Sequence, residues 1–230
     1  MASFYDIHKK VYVAIDCIIF GFDEKGLKLL LIKRNFEPQK GEWSLMGGFL
    51  KPEESLDDAA KRILHDLTGL HDIYLEQLFT FGDPDRDPGD RVISVAYFSI
   101  IRLSQYDEFR NSRYEARWFP LKALPDLVFD HKSMIKKAMK RLQRRATSEP
   151  IGFELLPEKF TMPRLLNLYE AIYLQKLDKR NFRKKIFQMG ILEKLDEKDK
   201  SGSKKGAFLY RFDKHRYDAL IDAGDHFNFM

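Results

Sequence analysis

Apolar residues run almost without break from Val11 to Phe22, interrupted by Asp16, and resume from Leu27 to Ile32. Between them stands Asp23-Glu24-Lys25-Gly26, so two strands joined by a hairpin turn are predicted, the second closed by Lys33-Arg34. From Leu56 the period changes. Leu56, Ala60, Ile63, Leu64 and Leu67 recur at helical spacing behind Ser55, a candidate N-cap, and ahead of Gly69, a candidate stop. Ile73 to Phe81 and Arg91 to Arg102 read as strands separated by Gly82 to Asp90, whose prolines and glycines make it a loop. Ala116 to Pro120 is a further short strand. Asp130 can then cap a helix from His131 to about Arg145 with Met134, Ile135, Ala138, Met139 and Leu142 as its apolar face. The outer face of that helix, Lys132, Lys136, Lys137, Lys140, Arg141, Arg144 and Arg145, reads as solvated.

Thr147 to Gly152 is polar and contains Pro150 and Gly152, the composition of a junction. Two domains follow, residues 1–148 and 149–230. In the second, Thr161 and Pro163 open a helix to about Leu174 that buries Leu165, Leu168, Tyr169 and Ile172. A short turn reaches Asp178, a second N-cap, and a helix from Lys179 to Met189 stopped by Gly190. Ile191 to Leu195 and Ala207 to Phe212 read as strands joined by Asp196 to Gly206. Two helices with a tight turn and a following hairpin predict a winged helix-turn-helix.

Charge sharpens that picture. The chain of 230 residues carries a net +5, of which +1 falls in residues 1–150 and +4 in residues 151–230. Lys176 to Gly190 holds six basic residues against Asp178 alone. Phe182, Ile186 and Met189 can face the core, leaving Arg180, Arg183 and Lys184 at i, i+3 and i+4 on one cationic face. In a major groove, arginines match guanine and Asn181 matches adenine. Lys179 belongs to the same interface; Lys185 and the wing residues Lys204 and Lys205 suit phosphates, which position without specifying. A winged helix used for protein contacts is the alternative, and the basic face favours double-stranded DNA. No apolar run reaches membrane-span length and no secretory signal is visible, so a soluble cytoplasmic protein is expected. Cys17, the one cysteine, reads as core; it leaves no internal disulfide and cannot make a zinc site by itself.

The stretch around the first helix carries candidate chemistry. Gly48, Glu54, Arg62, Leu64, Gly69 and Leu70 fall on the required positions of a Nudix box, which this segment resembles. Ile63, Asp66 and Leu67 stand where that family has glutamates. These three share one helix face, the face that in Nudix hydrolases holds magnesium with carboxylate oxygens. Two of the three supply no oxygen, so catalytic residues, a metal site and a cofactor are not expected. The resemblance implies a Nudix-like α/β/α sandwich with a mixed sheet, an α+β chain overall once the winged helix is added. It points Arg34 at the cleft, and placement around the box adds Glu42, Trp43, Gly47, Gly48, Phe49, Asp83 and Arg86 as effector-binding candidates.

Thr80 to Pro88, Arg91 to Tyr97, Phe153 to Phe160, Leu177 to Lys185 and Leu209 to Phe212 resemble stretches of the Nudix-related transcriptional regulators. That family implies a homodimeric regulator whose Nudix-like domain senses a small molecule and whose winged helix holds an operator. The missing glutamates incline this reading towards a repressor of sugar utilisation, for example of arabinose. The alternatives are a regulator of NAD metabolism that senses ADP-ribose-type ligands, and an active Nudix hydrolase using Glu54 and Asp66.

Overall fold

The computed structural model describes residues 7–105, 114–201 and 205–229. By contacts the chain divides into two compact units. One comprises residues 1–21, 28–101 and 105–138, the other residues 22–27, 102–104 and 139–230.

The first unit is built on a seven-stranded sheet. Its strands are β1 (Tyr12–Asp23), β2 (Gly26–Lys33), β3 (Trp43–Ser44), β4 (Met46–Phe49), β5 (Glu76–Phe81), β6 (Val92–Arg102) and β7 (Glu115–Pro120). They follow the path β3-β2-β1-β6-β5, with β4 pairing β1 and β7 pairing β2. Strand β5 is shorter than the sequence predicts, because its ladder with β6 begins only at Glu76 opposite Phe98. Helix α1 (Leu56–Thr68) starts where predicted: Ser55 accepts from the Asp58 amide at 3.2 Å and donates to the Asp58 carboxylate at 2.7 Å. It ends at Gly69, whose φ of 75° lets its N–H turn back to the His65 carbonyl.

Strand alternation sorts the two faces of β1. Ile15, Cys17 and Ile19 form one cluster with Leu30, Ile32, Val95 and the α1 residues Ala59, Ala60, Ile63, Leu64 and Leu67. Each fully buried aliphatic side chain of this kind contributes roughly 1.5–3 kcal/mol. Asp16, Ile18 and Phe20 therefore point to the opposite face, and all three are buried. Cys17 is fully buried, as core. Burial, with Asp16 adding to it, pushes its thiol pKa up.

Helix α2 (His131–Ser148) runs past Arg145 and takes in Thr147 and Ser148, the first two of the residues read as a junction. The Thr147 hydroxyl donates to the Gln143 carbonyl at 3.0 Å, a bond inside the helix, and Arg145 pairs with Glu149 at 2.7 Å. Pro150 then stops it, since the residue before a proline disfavours helical backbone.

The second unit continues with α3 (Ile151–Glu154), β8 (Lys159–Thr161), α4 (Met162–Tyr173), α5 (Lys179–Gln188), β9 (Leu192–Asp199), β10 (Ala207–Phe212) and α6 (Lys214–Asp222). Thr161 and Asp178 cap α4 and α5 through their side chains, as their positions predict. Leu165, Leu168, Tyr169 and Ile172 are fully buried, with Phe182 and Ile186 against them in the core. Met189 departs from expectation: it is the C-cap of α5 and only half-buried. Strand β9 also outruns its predicted end at Leu195. Its outer half is held by cross-strand partners, Ala207 opposite Asp199 and Phe208 opposite Lys198, and by the Lys159–Glu197 ion pair at 2.7 Å. The three strands pair in the order β8-β10-β9. Helix α6 and the tail behind it have no counterpart in the sequence reading. The tail is anchored by Phe229, fully buried, whose amide donates to the Thr147 carbonyl at 2.8 Å. Among the described residues no helix is long and apolar enough to cross a membrane.

Candidate functional site

The box residues form a structural clasp. Arg62 grips Glu54 through two donors, Nη2 to Oε1 at 2.5 Å and Nε to Oε2 at 2.7 Å, and Nη2 also reaches the Phe49 carbonyl at 3.1 Å. Glu54 additionally accepts from the Lys51 amide at 2.8 Å. The Arg62 hydrogen bonds hold the Glu54 carboxyl down at about 2. The loop before α1 is thus tied to the middle of the helix.

Ile63 and Leu67, where a Nudix hydrolase carries glutamates, are 2% and 7% exposed and belong to the core cluster. Ile63 also explains Gly48: a Cβ there would stand 3.0 Å from Ile63 Cγ1. Asp66 is largely exposed and lies 3.8 Å from Arg62 Nη1 and 3.6 Å from His65 Nδ1. Two apolar core residues and one exposed, paired aspartate do not fit the oxygen-rich shell that magnesium requires. Among the described residues no group of three His, Cys, Asp or Glu side chains could hold a metal ion. Ile63→Glu is expected to lower stability by on the order of 3 kcal/mol by burying a carboxylate without a partner, as thermal unfolding would show.

On the other face of β1 lies a cleft of about 210 Å³ whose lining includes Arg34, Gly47, Gly48, Phe49 and Arg86 from the predicted set. Beneath it is a buried polar network. Arg86, with 3% of its side chain exposed, binds Asp130 twice, Nη2 to Oδ1 at 2.7 Å and Nε to Oδ2 at 3.1 Å, and lies 3.7 Å from Asp16. Asp16 also accepts from the Ser94 hydroxyl at 2.5 Å. The Leu45 amide donates to His131 Nδ1 at 3.2 Å, so the ring proton sits on Nε2, 3.5 Å from Asp16 Oδ1. Gly47 is required by this packing, because a Cβ there would collide with Asp16 Oδ1.

Arg34 forms the cleft's second cationic wall. Its Nε donates to the Pro38 carbonyl at 2.9 Å, and its guanidinium lies 4.3 Å from the Phe36 ring and 5.1 Å from that of Phe129. Burial lowers its pKa, opposed by Asp87, Asp16 and Glu37, and an arginine stays charged at neutral pH regardless. Phe129 has a φ of 53°, a conformation that costs a bulky residue about 1–3 kcal/mol.

Burial lowers the His131 pKa, outweighing Asp16 and Asp130, while Arg86 and Arg34 add to the lowering. The folded imidazole therefore resists a proton that the unfolded one accepts. The stability this provides is complete above the ordinary value of 6.5 and is lost as pH falls below it. His131→Gln is expected to flatten that part of a pH–unfolding profile.

Three predicted cleft residues lie outside the lining. Glu42 is exposed and contributes its backbone carbonyl to the Arg34 amide at 2.9 Å. Trp43 packs edge-on against Phe119 at 4.7 Å, since its place in β3 turns it to the sheet. Asp83 is exposed, and its carbonyl accepts from the Arg86 amide at 3.2 Å. Sequence reasoning missed Asp16, Phe36, Asp87, Phe129 and His131 as lining residues. A lone carboxylate in the apolar run of β1 was the available signal.

In the second unit, Lys179, Arg180, Asn181, Arg183 and Lys184 are exposed on α5, and Lys185 is half-buried. The backbone N–H of Asn181 donates to the Asp178 carboxylate cap at 2.7 Å. Arg183 lies 5.2 Å from the Phe187 ring. Lys205 is exposed at the turn between β9 and β10, while Lys204 lies outside the described residues.

Comparison with known proteins accounts for both parts. Residues 10–138 match the NUDIX domain family and residues 152–212 the NrtR DNA-binding winged helix domain. The chain is 35% identical over 210 residues to the ADPR responsive transcriptional repressor NtrR of Acinetobacter baylyi, covering 90% of this chain and 84% of that one. It resembles the crystal structure of Shewanella oneidensis NrtR complexed with a 27mer DNA, with a TM-score of 0.73 at 28% identity over 94% of this chain and 97% of the other. The NUDIX domain of the same Shewanella protein, complexed with ADP ribose, matches with a TM-score of 0.53 at 30% identity over 60% and 92%. A Nudix-like domain followed by a winged helix of this type places the chain in the family of Nudix-related transcriptional regulators typified by NrtR.

Proposed function

We propose that the protein is an ADP-ribose-responsive transcriptional repressor that holds operator DNA through α5 and its wing and binds its effector in the cleft over Asp16 and Arg86. The observation that carries this reading is the combination, in one chain, of an arginine-walled cleft with a helix-turn-helix whose second helix exposes Arg180, Arg183 and Lys184. The cleft offers both signs of charge: Arg34 for phosphate, Asp87 and Glu37 for ribose hydroxyls. A ligand that carries both groups suits it better than a neutral sugar. Its volume is below the roughly 300–1,000 Å³ usual for enclosing a whole ligand, so part of such a molecule remains at the mouth.

Support thus lies with the ADP-ribose-type effector and the NAD-metabolism branch, and the arabinose reading gains none from the relatives. The effector acts only if it favours one arrangement of the chain over another, since equal affinity for both shifts nothing. Two copies of the chain would read two half-sites, which sedimentation of the complex with its duplex measures.

The test is a labelled duplex carrying the protein's upstream sequence, titrated with full-length protein by fluorescence anisotropy. ADP-ribose is expected to release it and arabinose to leave it bound. Release by arabinose alone would restore the sugar reading. Magnesium-dependent turnover of ADP-ribose, abolished in Asp66→Ala, would make the chain a hydrolase.

A further inference from the structure

Helix α2 has a face that neither the cleft nor the winged helix uses. Its 18 residues hold seven cations and no acid. Of the six α-helices among the described residues, only α2 and α5 lack an acid. Elsewhere the signs are mixed: α1 pairs Arg62 with Asp66 and α6 pairs Lys214 with Asp218, in each case one turn apart. On α2, Arg145 is paired with Glu149 at 2.7 Å and Lys137 lies over the Phe79 ring. Lys132, Lys136, Lys140 and Arg144 are exposed, and among the described residues none of the four enters an ion pair.

These four stand at i, i+4, i+8 and i+12. At about 1.5 Å per residue the row covers roughly 18 Å of helix, with one cation about every 6 Å. It lies opposite the apolar side, where Met134, Ala138, Leu142 and Ala146 are buried. Each step repeats a like-charge i, i+4 pair, an arrangement that weakens a helix. Lys132 also puts a positive charge in the first turn, the end at which the helix dipole disfavours one. Solubility needs no such row, because charges of both signs achieve it on α1 and α6 without the repulsion. A polyanion laid along the face would cancel that repulsion, which gives the row a purpose that solvent does not.

We infer that Lys132, Lys136, Lys140 and Arg144 form a docking face for duplex DNA on α2, separate from α5 and the wing. A duplex carries one phosphate charge per about 1.7 Å of its axis, so a stretch as long as the row offers more charges than four cations take up. The lysines meet phosphates as point charges, and Arg144 can grip one through two donors. This rests on the reading of the chain as DNA-binding, which makes a duplex the polyanion at hand. It assigns α2 a share of affinity without sequence preference, since phosphate contacts carry none.

The experiment uses the full-length protein, a duplex it selects from a random pool and a scrambled duplex of equal length, with affinity measured across a salt series. The α2 variant combines Lys132→Gln, Lys136→Gln, Lys140→Gln and Arg144→Gln, which removes four charges and keeps helix propensity nearly constant. It is expected to reduce the slope of log affinity against log salt by about 3.6, at about 0.9 per phosphate, on both duplexes and to leave the ratio of their affinities unchanged. The control removes four exposed charges elsewhere, with Lys10→Gln, Lys25→Gln, Lys61→Gln and Lys122→Gln, and should keep the wild-type slope. The unfolding midpoint of the α2 variant should hold or rise, because like charges have been removed. A slope change below about one, in a protein that still selects a duplex, would overturn the α2 face and leave the DNA-binding reading standing. An equal change in the control would overturn it too, by making the effect one of net charge. A lower midpoint in the α2 variant would do the same, by making the row part of the fold. A wild type that binds neither duplex removes the reading on which the inference rests.

Discussion

Arg86→Ala is expected to destabilise the Nudix-like unit by roughly 3–5 kcal/mol, the cost of removing one partner from a buried ion pair. That corresponds to about 6–20 °C in unfolding midpoint for a chain of this size. The cause is what the substitution leaves behind. Asp130 loses a two-point partner, and Asp16, with 7% of its side chain exposed, keeps a carboxylate in the interior with Ser94 and His131 as neighbours. Lysine is expected to rescue little, because it cannot reproduce the planar fork that spans both Asp130 oxygens. Asp130→Asn, which retains an acceptor and removes a charge, should fall between. Calorimetry decides this, and a loss under about 1 kcal/mol would mean the pair is as weak as one at the surface.

Arg180→Ala combined with Arg183→Ala is expected to lower affinity for a duplex that the protein selects from a random pool by at least about thirtyfold, since each arginine–guanine contact discriminates by roughly 1–3 kcal/mol. The fold should be untouched. Both side chains are exposed, while Phe182 and Ile186 anchor the helix from its other side. The loss should fall mainly on the selected duplex and much less on a scrambled one, because base contacts carry sequence preference and phosphate contacts do not. Operator binding that survived the double substitution would show that α5 is not the reading element.

Local signals made much of the fold legible. Ser55 and Gly69 bracket α1 and Asp178 caps α5, because capping depends on residues a few positions apart. The Nudix-like and winged-helix parts could be read from strings of residues for the same reason. What stayed hidden depends on distance along the chain. Arg86 and Asp130 are separated by 44 positions and Asp16 and Ser94 by 78, so no window could show that they share one network. The outer half of β9, Asp196-Glu197-Lys198-Asp199, looks like a loop; its strand is fixed by partners on β8 and β10 rather than by its own preference. Trp43 was drawn towards the cleft by its neighbours in sequence, yet its ladder partner Lys33 turns it onto Phe119.

Ile63 and Leu67 carry a consequence for redesign of the box. Each points from α1 into the core, so a magnesium shell of the Nudix-hydrolase kind on this face would need two carboxylates at buried positions. Either one alone would spend much of a stability margin of about 5–15 kcal/mol and gain no metal, because its companion ligand would still be hydrocarbon. A single carboxylate at either position is therefore expected to cost stability before it completes a pair of metal ligands. Packing thus commits this face of α1 to the interior, independently of what the cleft on the other side of the sheet binds.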